Sequence, residues 1–442
     1  MIIRNGLVAL SGKDDFERLD IKVKDGIIVD IAKNINADGE IIDAEGCFVF
    51  PGAIDPHVHF NDPGNTHRES FYTGTCAAAA GGITTIIDMP CTSVPPVTSK
   101  ENLFTKLNAV KESAVVDYGF YGGISGQTFP DAEKLIKELA EYVPGYKVYT
   151  ISGMKSFESL SYEQIKEVVK LAGKYNKPVL VHSEDRSTVN KLTSENMKKG
   201  NSPVDFYNSR PEEAETESAK KLRKIAKKTN GNLHIVHVGS AEVLNIISDC
   251  SITCETAPHY LAFDVNDFRE KGSALKITPP VKGPQNKAKL WEYLNNGKIS
   301  FAATDHAPST ITEKNTGSVW TDYSGIPGCE TLIPYLFSEG LMTKRLSLSR
   351  YLQITSENAA KKYGFFDRKG SIEIGKEADF TIINPKEKTE ICGKNFFSKG
   401  KITPFEGMKF SGKLTHCIVR GKTVFQNKLG ILAPPGYGNF IK

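Results

Sequence analysis

The sequence predicts a mixed α/β protein: a (β/α)₈ barrel of the TIM type with a small β-sandwich domain formed from both chain termini. Three observations point there. At 442 residues the chain is too long for one ordinary core and suits a large barrel with a smaller companion. Both ends read as short strands joined by tight turns. The long middle alternates short apolar runs with amphipathic helical stretches.

At the N-terminal end, Met1–Leu10 is apolar and stops at Ser11-Gly12. Leu19–Val23 alternates, Asp25-Gly26 is a hairpin-turn signal, and Ile27–Ile31 resumes the strand. At the other end Asp379–Ile383 and His416–Arg420 read as strands, and Gly421-Lys422 turns into Thr423–Phe425. Residues 1–53 and 367–442 are therefore expected to form one β domain, with 54–366 inserted as the barrel. Within that insert Ile83–Met89, Val179–His182, Leu233–Val238 and Ser300–Thr304 read as buried strands. Tyr162–Tyr175, apolar at Ile165, Val168, Val169 and Ala172, reads as a helix, as does Glu212–Lys228. A doubly wound open sheet would alternate in the same way, so periodicity leaves both architectures open.

The 56 basic and 52 acidic side chains are interspersed and leave a net charge of +4. That balance gives no footprint for nucleic acid. The eight cysteines form no C-x-x-C pair and no disulfide spacing, which suits a reducing compartment. The N-terminal apolar run is too short for a signal peptide, and no stretch approaches the roughly 20 apolar residues that span a bilayer. A cytoplasmic enzyme with neither nucleic-acid nor membrane partners is the expectation.

The strongest local feature is Asp55-Pro56-His57-Val58-His59, just after Pro51-Gly52. On a continuing strand His57 and His59 share one face, where two neutral imidazoles can chelate one metal. Alone, such a pair is equally well two polar loop histidines. More ionisable residues follow, however, each at the end of an apolar run: His182, His234 and His237, then Asp305 and His306. In a barrel the strand ends converge on one face, where active sites form. His67, His259 and His416 have no such setting and receive no role. Lys147 lies inside Gly145-Tyr146-Lys147-Val148-Tyr149, where its charge would be expensive to bury. It reads either as a barrel-surface lysine with its head in water or as a buried amine that CO₂ converts to a carbamate.

PGAIDPHVHF, GYKVY, VLVHSED, LHIVHVGS and ATDHAPS, in this order, resemble the cyclic amidohydrolases of the amidohydrolase superfamily, among them dihydroorotase, allantoinase and hydantoinase. GSIEIGKEADFTIINP is similar to that group's returning β domain. The resemblance implies two divalent metals, with zinc expected first and cobalt, manganese or iron as alternatives. His57, His59 and Asp305 would hold one metal and His182 and His237 the other, with N6-carboxylated Lys147 bridging them. His234 would support rather than ligate. A hydroxide held between the metals would attack the ring carbonyl, and Asp305, as general base, would pass its proton to the leaving nitrogen. The resemblance further implies a homodimer or homotetramer acting on a small cyclic amide.

Among ring substrates, dihydroorotases grip a carboxylate through an Arg two residues after the HxH pair and an Asn in M-P-N-T. Here those positions hold Asn61 and Cys91, which cannot replace a guanidinium's bidentate contact. HFNDPGNTHRES and IDMPCTSVPPVT are more similar to allantoinases, although Tyr323-Ser324-Gly325-Ile326-Pro327-Gly328 departs from their usual W-G-G-I-A-G. Hydantoinases carry a Tyr a few residues beyond the bridging lysine, where this chain has Ser152 and Gly153. Asn61, Cys91, Ser324 and Gly325 are the expected substrate-pocket residues, and allantoin the expected substrate, with dihydroorotase and hydantoinase chemistry as alternatives. A non-catalytic assembly homologue would have lost ligands, and a deaminase of the superfamily would lack the bridging lysine.

Overall fold

The structure, a computed structural model, describes residues 1–36 and 39–442. Its central element is a ring of parallel strands: Ala53–Val58, Ile83–Asp88, Asp117–Phe120, Tyr146–Tyr149, Val179–His182, Leu233–Ile235, Thr253–Thr256 and Phe301–Ala302. Neighbours in this order pair in parallel, with Gly122–Gly123 carrying the third strand's contact to the fourth. A parallel bridge between Val58 and His306, and a 2.8 Å bond from the His59 amide to the His306 carbonyl, close the circuit. The strands are almost wholly buried, as a sheet covered on both faces requires.

The outer helices follow their sequence signals. Tyr162–Gly173 turns Ile165, Val168, Val169 and Ala172 inward. Its first turn is closed by a reciprocal pair, with the Gln164 amide donating to Ser161 Oγ at 3.2 Å and the Ser161 amide to Gln164 Oε1 at 2.8 Å. Glu212–Thr229 carries three glutamates in its first turn and two lysines in its last, matching the helix dipole.

Two expected strands are shorter than their apolar runs. Leu233–Ile235 stops before His237, and Phe301–Ala302 stops before Asp305. His237 (φ 41°) and Asp305 (φ 50°) adopt left-handed backbone, which costs a side-chain-bearing residue about 1–3 kcal/mol. The chain leaves the ladder to aim these two side chains at the barrel axis.

The terminal segments pair in one nine-stranded sheet. Phe380–Glu390 lies antiparallel to Phe48–Pro51, joining the C-terminal strands to the N-terminal ones. Ile3, Val8, Ile21 and Val49 from one end pack with Phe380, Ile382 and Ile418 from the other, filling the interior of a sandwich. Asp25 (φ 52°) and Gly26 (φ 79°) make the tight turn that pairs Lys24 with Ile27. Between sheet and barrel, buried Lys369 Nζ meets Asp117 at 2.7 Å and Glu377 and Asp379 at 2.6 Å each. Arg420 also pairs with Asp117. Among the described residues no helix is long and apolar enough to cross a membrane.

Candidate active site

At the C-terminal ends of the barrel strands, His57 Nε2, His59 Nε2 and Asp305 Oδ1 lie 3.2 Å from one another. Three ligand atoms so close, with no other group between them, form a cradle for one cation. Beside them His182 Nδ1 stands 3.0 Å from His237 Nε2, and the His57 and His237 rings are 5.4 Å apart. Burial holds the imidazoles of His57, His182 and His237 toward their neutral, ligating form.

Lys147 is fully buried on Tyr146–Tyr149, and its Nζ has no hydrogen-bond partner. Burial pulls the amine down to about 8. An orphaned buried amine of this kind is the one a carbamate would relieve, because its two oxygens would gain cationic partners. The surface-lysine reading is excluded by its zero exposure. The donor set of imidazoles, one carboxylate and one buried amine fits a pair of divalent ions.

These side chains are held from behind. Asp55 accepts from the Thr304 amide (3.0 Å) and hydroxyl (2.6 Å), tying the first strand to the last. His57 Nδ1 meets buried Glu255, and His182 Nε2 lies 2.9 Å from Glu184, which also pairs with Arg210. His306, next to Asp305, is fixed on both nitrogens: Nδ1 accepts from the Gly328 and Cys329 amides, and Nε2 meets Glu69 at 3.1 Å.

Above this floor opens a cavity of about 360 Å³ bordered by His59, His182, His237 and Asp305. Cys91, Ser324 and Gly325 stand in its wall. Asn61 does not. It is buried, and its amide donates to the His59 carbonyl at 3.1 Å, which braces the HxH turn. His234 also turns away from the cavity, bonding Thr253 and Glu255.

The fold and site have counterparts among known proteins. Residues 48–424 match the amidohydrolase family. The chain belongs to that family. This amidohydrolase is 34% identical to an allantoinase of Rubrobacter xylanophilus, over 99% of the chain and 96% of the relative. It is 33% identical to an allantoinase of Bacillus licheniformis, over 97% of each. Among solved structures it is similar to an L-hydantoinase (dihydropyrimidinase) from Arthrobacter aurescens, with a TM-score of 0.94, 29% identity, and coverage of 100% and 99%.

Several site residues escape a sequence reading. Tyr149 shares the alternating face of Lys147, and its ring stacks on His182 (centroids 5.4 Å, interplanar 23°) while its hydroxyl lies 3.1 Å from Cys91 Sγ. The i, i+2 spacing within GYKVY was its only signal. Arg210 enters the cavity from a loop, and Glu255 approaches from a strand with no apolar run to mark it.

Proposed function

We propose that this amidohydrolase opens a cyclic amide at a binuclear metal centre, with allantoin as its first substrate. The observation that carries this is the convergence of His57, His59, Lys147, His182, His237 and Asp305 at one end of the barrel. In this reading His57, His59 and Asp305 hold one ion, His182 and His237 the second, and carboxylated Lys147 bridges them. Zinc suits the donors, as do cobalt, manganese and iron. Bound ions would supply an acidified water and polarise the ring carbonyl.

Asp305 takes the proton of the attacking water and delivers it to the ring nitrogen as the C–N bond breaks. The Tyr149 hydroxyl, whose present partner is a weakly accepting thiol, is free to turn to a substrate oxygen that gains negative charge. Stacking against His182 fixes its ring for that task.

The substrate choice follows from charge and likeness. Arg210 is the one lysine or arginine among the described residues lining the cavity, and Glu184 already neutralises it. A substrate carboxylate would find no free guanidinium, which disfavours dihydroorotate. A neutral ring bearing a ureido group suits a wall that includes Ser152, Thr278 and Ser324. The two allantoinases named above support the same choice. Hydantoinase chemistry is the second reading, favoured by the likeness to the Arthrobacter structure and by a tyrosine hydroxyl in the pocket. The proposal includes the division into a barrel (54–366) and a terminal β domain (1–53 with 367–442), and a homodimeric or homotetrameric state.

The test is a hydrolysis panel of allantoin, hydantoin, dihydrouracil and dihydroorotate with added divalent metal. Allantoin should turn over fastest. Robust dihydroorotate turnover without allantoin turnover would overturn the assignment.

A further inference from the structure

Beneath the first metal cradle lies a carboxylate to which the chemistry above gives no part. Glu255, on Thr253–Thr256, is fully buried and spans two histidines from two other strands. One oxygen meets His57 Nδ1, and the other lies 3.2 Å from His234 Nε2. His234 is itself fixed, its Nδ1 2.8 Å from Thr253 Oγ1 and its ring stacked on Phe301 with centroids 5.1 Å apart. The carboxylate therefore cannot swing away from His57.

We infer that Glu255 is a positioning residue that sets the ligating face of His57 and thereby the affinity of the first metal position. An imidazole that donates Nδ1–H to a carboxylate must leave the Nε2 lone pair free. That Nε2 is the atom aimed at His59 and Asp305. With the proton on the other nitrogen, His57 would present N–H where the ion sits. His234 acts one step further back, holding the second oxygen so that the first stays on His57. The second position has a carboxylate of its own, Glu184 on His182 Nε2 at 2.9 Å, whereas His237 Nδ1 has no partner among the described residues. Glu255 touches neither of these two histidines through a side-chain hydrogen bond and so bears on the first position.

The inference rests on the two-metal reading but not on the choice of ring. The experiment is ion binding to stripped and reloaded protein, by competition against a chelator, with Zn²⁺ alone as probe. In wild type, Glu255→Gln and Glu255→Ala, the count and affinity of bound ions are measured beside the thermal unfolding of the metal-free forms. Glutamine keeps the shape but turns one acceptor into a donor, so His57 and His234 cannot both donate to it. It should weaken one of two ions by about 10–100-fold, the usual effect of losing such a partner. Metal-free unfolding should stay near wild type, and activity lost at limiting zinc should return at excess zinc. Two ions held as tightly as in wild type by a folded Glu255→Gln protein would overturn this inference alone. A wild-type chain that binds no ions would overturn the two-metal reading and this inference together.

Discussion

Asp305 is asked to do two things, and one substitution separates them. Asparagine keeps an oxygen for a cation but cannot carry a proton. Asp305→Asn should therefore lower kcat by about 10²–10⁴-fold, the range of a lost general base, while metal content stays near wild type. Full activity would remove Asp305 from that role. Tyr149→Phe keeps the ring on His182 and removes only the hydroxyl. It should cost about a hundredfold in kcat, as loss of one preorganised donor does, with unchanged metal content. An unchanged kcat would show that the phenol does not meet the reacting oxygen. The candidate ligands were legible as an HxH pair at His57 and His59 and as residues ending apolar runs at His182, His237 and Asp305. Glu255, Glu184 and Arg210 were not, since their partners lie on other strands and loops and no local spacing encodes the meeting. Asn61, whose position beside the HxH pair suggested a pocket, lies outside the cavity wall, its short amide bonding the adjacent backbone.

Among elements, the two barrel strands that lead to His237 and Asp305 stop short of these left-handed residues, a feature that apolar runs cannot reveal. The loop around His306 shows how such ends are stabilised. Glu69 takes His306 and the Ser398 hydroxyl together, and Glu330 Oε1 accepts from the Ser398 amide at 3.2 Å. Burial, opposed by that amide, pushes the Glu330 carboxyl up to about 8. Because the folded value is raised, its stabilising contribution is full below the ordinary carboxylate range and is lost as pH climbs through about 8. Glu330→Gln should therefore flatten the fall in Tm between pH 5 and pH 9 relative to wild type. Equal falls in both proteins would contradict that environment.

For the molecule as a whole, the β ends and the alternating middle were legible, and so was the tight turn at Asp25-Gly26. The ion cluster that joins sheet to barrel was not, because Asp117 lies 252 residues from Lys369, and Arg420 lies 41 from Asp379. Three carboxylates lie close enough there to hold a metal, but the Lys369 ammonium already contacts all three. Lys369→Met should destabilise the fold by about 3–5 kcal/mol in denaturant unfolding, the effect of stranding buried charges. The folded fraction should retain its kcat, since Asp117 begins its strand and the catalytic cradle lies at the strand ends; a collapse of kcat would show that the cluster reaches the site. The bridged two-metal centre is checked by intact mass combined with metal analysis on protein kept near neutral pH. Wild-type protein should carry two divalent ions per chain and the mass of one added CO₂, both lost in Lys147→Ala. An active wild-type protein with an unmodified Lys147 and a single ion would contradict the bridged centre.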